Sequence, residues 1–480
     1  MGLQHAFAMV GGLITPPLVV LKFSVSFIDT DLHQYGISAA LITSGICTII
    51  NVAKFPIPFS EKIFGRMMYL GSGILSVMGT SFTFLPVFEI AVRQLKDAGV
   101  DPKEAYGKLL GTSMVCCLLE LGLSLLSPKT LKKLFPPIVS SVTVMLIGVA
   151  LTGTGMKYWG GGVVCADMVW MEHRKVQDVN FGIGPSSTCF GTAGEVSLPY
   201  GSTEYVGLGF SVLSCLVLIE LFGSVFMKNC NVIIALLFGY FVAGVSRYGD
   251  DSLQYVNDSK IESAKAFTFL WVETFPLGFY GPAVIPLLVA YLVTTVETVG
   301  DISAVYDVSE LDTSSEEYTE SIQGGLLADA VNSILAGLFT SMPNTTFSQN
   351  NGVIALTKCA SRRAGYACGF WLILMGVFGK ISGIITSIPD CVLGGMTIFL
   401  FCNVLVSGIS LAATSLDVNS RRVKFILGMS LAVGVGVTVY PYAFLDLRDS
   451  PQSANFWKCE DCGDTLLGLR NGVSIFLSTG

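Results

Sequence analysis

Gly79-Thr80-Ser81-Phe82-Thr83-Phe84-Leu85-Pro86 and Pro343-Asn344-Thr345-Thr346-Phe347-Ser348-Gln349-Asn350-Asn351-Gly352 are the two stretches that decide how this chain folds. Both interrupt apolar runs, and neither reads as an ordinary helix: they are short, β-prone, and punctuated by Pro or Gly. The surrounding composition makes that unusual. Of 480 residues, 52% are hydrophobic and 13% charged, with a mean hydropathy of +0.66, against about 25% charged in a soluble domain. The bilayer is therefore the main solvent. At membrane depth, irregular backbone persists only where it is buried in protein or lines a cavity, because no water satisfies its N–H and C=O groups.

Working outward, apolar runs near residues 1–21, 35–53, 67–86, 108–126, 136–155, 205–225 and 229–245 form one set. Runs near 281–300, 321–341, 347–357, 364–387, 391–414, 423–443 and 465–480 form a second. The broken stretches hold the third place in each. Interrupted segments at corresponding positions of two halves point to a transporter built from inverted repeats, with its binding site near the bilayer midplane. The expected fold class is an all-α polytopic membrane protein of fourteen segments in two inverted seven-segment repeats, with short broken or β segments third in each. The first run opens at Met1 without a polar lead-in and the last stops at Gly480 in mid-run, so both end spans are expected to be truncated. No cleavable signal peptide is recognisable.

Thirteen of the 28 Lys and Arg lie in short loops after even-numbered runs and most of the others in long loops, which weigh little in topology. Short loops after even-numbered runs hold Lys54, Lys62, Arg66, Lys129, Lys132, Lys133, Lys228, Lys358, Arg362, Arg363, Arg421, Arg422 and Lys424, which predicts that both termini are cytoplasmic. Cys165 with Cys189, and Cys459 with Cys462, then lie in outer loops where disulfides are tolerated, and Asn257-Asp258-Ser259 is an outer glycosylation sequon. Asn344-Thr345-Thr346 matches the same pattern but adjoins a span. Cys47, Cys116, Cys117, Cys215, Cys368, Cys391 and Cys402 lie in apolar runs and are expected to act as small core hydrophobes. His173 has no cysteine spacing of a metal finger. A net charge of -7 with 3 His argues against a nucleic-acid partner, which needs a concentrated basic surface. No nucleophile with its base, metal cluster or phosphate loop suggests an enzyme: Gly71-Ser72-Gly73 lacks the Lys of a phosphate loop.

Ionisable groups inside apolar runs are costly and usually functional. Glu297 and Asp301 are spaced i to i+4, on one helical face. Asp329 follows the pair Gly324-Gly325, which would admit a neighbouring backbone. These carboxyls are candidate proton carriers. Glu120 and Glu220 have no comparable neighbours and read as packing or boundary residues. Gln349 opens the half-helix after the second broken stretch; its carboxamide sets a donor beside an acceptor, matching the alternating N–H and C=O edge of an oxidised purine or pyrimidine. Free N–H groups at that helix start would attract a carbonyl oxygen. Phe82 and Phe347 occupy similar places in the two broken stretches and could flank a flat ring.

Gln349-Asn350-Asn351-Gly352-Val353-Ile354-Ala355-Leu356-Thr357-Lys358 satisfies every position of the nucleobase-ascorbate transporter signature: Gln, Glu or Pro, then Asn-x-Gly, four variable residues, Thr, and Arg, Lys or Gly. Gln4-His5 and the Glu297 to Asp301 stretch also resemble motifs of that family, and the chain looks most like its fungal uric acid-xanthine permeases. The resemblance implies a core domain (residues 1–126 and 281–387), a gate domain (136–245 and 391–480), homodimers in the plasma membrane, and elevator-type transport. It implies that Glu297 and Gln349 hydrogen-bond the purine, that Phe82 and Ser348 offer backbone N–H groups, and that Phe347 stacks. Asp329 and Asn350 resemble positions needed for transport, His5 one linked to substrate handling and folding, and Asp301 one beside the site. Gly352, Thr357 and Lys358 complete the motif, the last two tuning affinity or specificity. Ser348 departs from the Ala common among close relatives. The expected activity is proton-coupled import of xanthine and uric acid, with no cofactor and with substrate, membrane lipid and a second copy as partners. A uracil or broad nucleobase permease would more typically carry Glu at 349, an ascorbate carrier Pro. Anion exchangers share the architecture, but Glu297 would repel a small anion. Sodium coupling, and a sensor that binds purine without net flux, remain open at this point.

Overall fold

The computed structural model describes residues 1–24, 30–58, 60–64, 67–126, 130, 137–162, 166, 198–248, 253–256, 258–312 and 315–439. Among these, six helices are long and apolar enough to cross a membrane, or seven if one pair bent by 75° counts as a span. Cys165, Cys189, Cys459, Cys462, Asn257 and the run 465–480 lie outside the described residues.

The chain opens with α1 (Gly2–Ser24) and α2 (Thr30–Ala53). The first broken stretch follows as β1 (Met78–Thr80), a single 3-10 turn at Phe82–Phe84, and α3 (Leu85–Asp97). Asp101 accepts the backbone N–H of Lys103 (3.0 Å) and Glu104 (3.4 Å), capping α4 (Pro102–Cys116), with Pro102 in the first turn where its missing N–H costs nothing. α5 (Leu118–Ser124) continues it. Then come α6 (Pro137–Trp159), α7 (Thr203–Phe222) and α8 (Asn231–Val245). The second half holds α9 (Val284–Val308) and α10 (Glu316–Leu338), the latter capped by Ser315 on the N–H of Tyr318 at 3.2 Å. The second broken stretch gives β2 (Asn344–Thr346) and α11 (Gln349–Thr357). The bent pair α12 (Arg362–Val377) and α13 (Gly379–Ser387), then α14 (Asp390–Ser415) and α15 (Arg421–Val439), complete it.

α6 packs along α14 and α12 along α2, while α9 and α10 lie against each other and against α5. Buried hydroxyl pairs tie distant parts of the chain together: Tyr35 of α2 to Thr340 just beyond α10 at 2.8 Å, Ser38 to Ser382 at 2.7 Å, Ser113 to Tyr291 at 2.7 Å. In a medium as apolar as the side chains themselves, such contacts and close packing replace the hydrophobic drive between helices. Facing outward, Phe222 is 80% and Phe241 67% exposed, a surface suited to lipid tails. Cys402 on α14 is also exposed, contrary to the expectation of a core position: its helix is buried on only one side. Cys47, Cys116, Cys117, Cys368 and Cys391 are buried as expected, and Cys215 partly so.

The two broken stretches meet. β1 and β2 pair antiparallel, Met78 opposite Thr346, Gly79 opposite Thr345 and Thr80 opposite Asn344. The ladder runs on at both ends, Ser81 donating to the Pro343 carbonyl at 3.0 Å and Phe347 to the Val77 carbonyl at 3.0 Å. All six strand residues are buried, and neighbouring helices supply what the ladder lacks: the N–H of Met78 donates to Thr48 Oγ1 (3.0 Å), and Thr80 Oγ1 donates to the Leu13 carbonyl (2.8 Å). This is the arrangement that lets a non-helical backbone exist away from water. The coil before β1 leans on α10 at Gly324, whose carbonyl accepts the N–H of Gly71 at 2.9 Å; a Cβ on Gly324 would run into the Gly71 carbonyl, so the approach requires glycine.

Candidate functional site

The end of the ladder brings Phe82 and Phe347 into a nearly parallel pair, centroids 6.3 Å apart and 15° between planes, with Phe401 of α14 edge-on to Phe82 at 5.5 Å. Phe347 fits because α1 and β1 present glycines there: a Cβ on Gly12 would sit 2.8 Å from Phe347 Cε2, and one on Gly79 2.7 Å from Phe347 Cζ. Beside the pair, neither the N–H of Phe82 nor that of Ser348 has an acceptor among the described residues. Free N–H groups beside an aromatic pair suit the carbonyl oxygens of a flat heterocycle.

Glu297 reaches the same place from α9. It is half-buried, and both of its carboxylate oxygens lie near Thr83 Oγ1, at 3.3 and 3.4 Å. One hydroxyl proton shared between two oxygens orients the carboxylate and leaves most of its accepting capacity for ring N–H groups. Thr83 was not singled out by the sequence; lying one residue beyond Phe82 in the broken stretch is the signal that could have found it.

Asp301, one turn further along α9, is used differently. Its Oδ2 accepts from Thr346 Oγ1 at 2.7 Å, and its Oδ1 from Ser348 Oγ at 2.6 Å and Asn351 Nδ2 at 3.4 Å. Three donors from one turn converge on one carboxylate, so Asp301 anchors the β2–α11 turn to α9. The Ser348 hydroxyl contributes here, a contact that Ala at this position could not make.

The remaining expected residues lie around this centre. Asn350 is fully buried but points back, donating to the Leu75 carbonyl at 2.8 Å, and the buried His5 ring lies toward its carboxamide. The Asn350 bond ties α11 to the coil before β1. Gln349 is the first residue of α11 and Gly352 lies in its first turn, adjoining the aromatic pair in the chain. Thr357 and Lys358 close the far end of α11, about 12 Å away at 1.5 Å per residue: Thr357 Oγ1 donates to the Val353 carbonyl at 2.7 Å, and exposed Lys358 takes a left-handed conformation (φ 53°, ψ 33°). They terminate the half-helix, with no contact to the aromatic pair among the described residues.

Asp329 on α10 is fully buried, accepting from the hydroxyls of Thr298 and, at 3.1 Å, Thr345. It lies beside Glu120 of α5, which is fully buried too. Glu120 thus has an acidic neighbour on a helix remote in sequence, which composition could not reveal. Glu220, by contrast, is exposed.

Known proteins resemble this chain along most of its length. A model of the Permease family matches residues 1–182 and 177–443. A uric acid-xanthine permease of Emericella nidulans is 40% identical over all of this chain and 78% of its own length, and the xanthine permease XanP of Escherichia coli is 30% identical over 91% of this chain and 83% of its own. Among solved structures, the transmembrane domain of the cyanobacterial bicarbonate transporter BicA shares the fold, with a TM-score of 0.56 at 13% identity over 91% of this chain and 96% of that one. These relatives are permeases rather than enzymes. With most of its length matched and the Gln349 to Lys358 signature intact, this multi-pass membrane protein belongs to the nucleobase-ascorbate transporter family of permeases.

Proposed function

We propose that the chain is a secondary active transporter that imports oxidised purines, xanthine and uric acid, together with a proton across the plasma membrane. The observation that carries this reading is the antiparallel meeting of the two broken stretches, which sets Phe82, Phe347, Glu297 and the start of α11 around one point. In this reading the purine lies against the aromatic faces, its ring N–H groups bond Glu297, Gln349 makes a two-point contact to its amide-like edge, and the N–H groups of Phe82 and Ser348 receive its oxygens. The similar proteins of Emericella nidulans, a uric acid-xanthine permease, and of Escherichia coli, a xanthine permease, support xanthine and uric acid as the substrate class.

The rest of the reading follows the family resemblance. Fourteen segments form two inverted repeats, with a core (1–126, 281–387) carrying the site and a gate (136–245, 391–480) against which the core slides in a homodimer, both termini cytoplasmic. The test is radiolabelled xanthine uptake in cells lacking endogenous purine transporters, with uric acid, uracil and ascorbate as competitors and a protonophore control. Uptake blocked by uric acid and collapsed by the protonophore is expected. Gln349→Ala should abolish it at unchanged surface expression; normal uptake by that variant would sink the assignment. Competition by uracil instead would make it a uracil or broad nucleobase permease, and binding without flux a sensor.

A further inference from the structure

Glu120 and Asp329 have no surface exposure, and threonine hydroxyls one turn apart on α9, Thr295 and Thr298, hold one carboxyl each, which makes the two acids neighbours. Threonines hold each from one side. Glu120 Oε1 accepts from Thr294 Oγ1 at 3.1 Å and Thr295 Oγ1 at 3.4 Å, while Asp329 Oδ2 accepts from the Thr298 hydroxyl and from Thr345 Oγ1 at 3.1 Å. The oxygen left over on each, Glu120 Oε2 and Asp329 Oδ1, has no donor among the described residues. The other titratable groups facing the pair are Tyr291, Glu297 and Asp301 on α9, Cys117 between α4 and α5, and Cys47 on α2. None is a cation, and among the described residues neither carboxyl has an ion pair.

Two neighbouring carboxyls, fully buried and without a counter-cation among the described residues, are best held with one proton between them: an ionised carboxylate only accepts, and facing anions repel. The hydroxyls decide which one holds it. Each threonine has a single proton to give. Thr294 and Thr295 also reach the Tyr291 carbonyl, at 3.2 and 2.8 Å, so Glu120 competes for its donors. Thr298 and Thr345 have no backbone carbonyl as a rival among the described contacts. Asp329 is thus the better supplied anion.

We infer that Glu120 and Asp329 share one proton, carried on Glu120 and donated to ionised Asp329, and that this is the coupling ion of the transport cycle; the inference rests on the proposed transport function. The pair is linked to the purine site by direct neighbours: Thr298 follows Glu297 on α9, and Thr345 lies two residues before Phe347. When Glu120 gives its proton to water as hydronium, its hydrogen bond to Asp329 is lost with it, and two anions are left facing each other and must part. The α5, α9, α10 and β2 elements that carry them then shift with the purine site.

The test compares wild type with Glu120→Gln at equal surface expression, reading xanthine accumulation and, separately, exchange of labelled for unlabelled xanthine. Gln keeps an N–H toward Asp329 but cannot release it. Wild type is expected to concentrate xanthine several-fold in a protonophore-sensitive manner, whereas Glu120→Gln should only equalise inside and outside while still exchanging substrate. Concentration by Glu120→Gln to the wild-type level with unchanged protonophore sensitivity overturns the inference, as does wild-type accumulation that follows a sodium gradient. A wild type that neither binds nor moves xanthine fails before the variant is considered, and that result strikes the transport function itself. Where Glu120→Gln does not reach the membrane, infrared spectroscopy of purified wild type takes its place: a carboxylic acid C=O band at neutral pH, shifted in D2O and altered by Asp329→Asn, is expected. Its absence overturns the shared proton.

Discussion

Replacing Gly12 by Ala adds one methyl group at the back of the Phe347 ring. The new Cβ would lie 2.8 Å from Cε2 and 3.4 Å from Cζ, whereas carbon atoms prefer separations of about 3.5–4.0 Å. The nearer ring edge must therefore retreat by at least about 0.7 Å. Its retreat is limited, because Gly79 crowds the ring at a second point and Phe82 lies nearly parallel at 6.3 Å. The ring turns toward Phe82 and narrows the space a heterocycle would use. Overpacking of this kind costs about 1–3 kcal/mol; drawn entirely from purine binding, that weakens the Kd roughly 5- to 150-fold. The assay is xanthine binding to purified protein, with thermal stability measured alongside. Gly207→Ala on α7 is the control, since a Cβ there meets nothing within 4 Å, and its expected effect is the ordinary helix gain of Ala over Gly, about 1 kcal/mol. In a double-mutant cycle, Phe347→Leu should absorb much of the Gly12→Ala penalty, because the two changes act on one contact. Unchanged xanthine affinity and stability in Gly12→Ala would refute the placement of Phe347 and the use of its face.

Asp301→Ala removes the acceptor of the Thr346 and Ser348 hydroxyls, bonds of 2.7 and 2.6 Å. At about 1.5–3 kcal/mol for each bond to a charged group, loss of xanthine uptake together with a lowered melting temperature is expected, and retained uptake would show that the β2–α11 turn holds without it. Lys358→Gly replaces a left-handed non-glycine residue at φ 53°. It should relieve about 1 kcal/mol of backbone strain and raise the melting temperature at unchanged xanthine affinity; a fall in affinity would place the lysine side chain in the site.

How much of this was legible depends on the range over which each signal acts. The broken stretches announce themselves locally, through Pro343, Gly79 and their threonines, since those residues oppose a helix wherever they stand. That the two stretches pair is another matter: the register of Met78 opposite Thr346 is set by helices packed around them, and nothing within either stretch specifies it. Glu297 with Asp301 was visible as a spacing, yet their division of labour, one facing the aromatic pair and one clamping a turn, appears only when Thr83, Thr346 and Ser348 are placed. Glu120 looked like an isolated acid because its counterpart Asp329 lies on another helix. Asn350 belongs to the signature, but its donation to Leu75 makes it a tether, a role that residue type alone does not distinguish from substrate contact.

The two-stranded ladder also has a consequence for how the protein is made. Ribosomes deliver Met78, Gly79 and Thr80 long before Asn344, Thr345 and Thr346, and until the later strand arrives the earlier one has no ladder partner. An unsatisfied backbone group in hydrocarbon costs several kcal/mol, so the newborn first half has to hold its broken stretch in water, against the membrane's edge or against the insertion machinery. Maturation therefore waits on translation of the second half, and a stalled or shortened chain would be marked by an unpaired strand, a defect that quality control can detect before any substrate is tried.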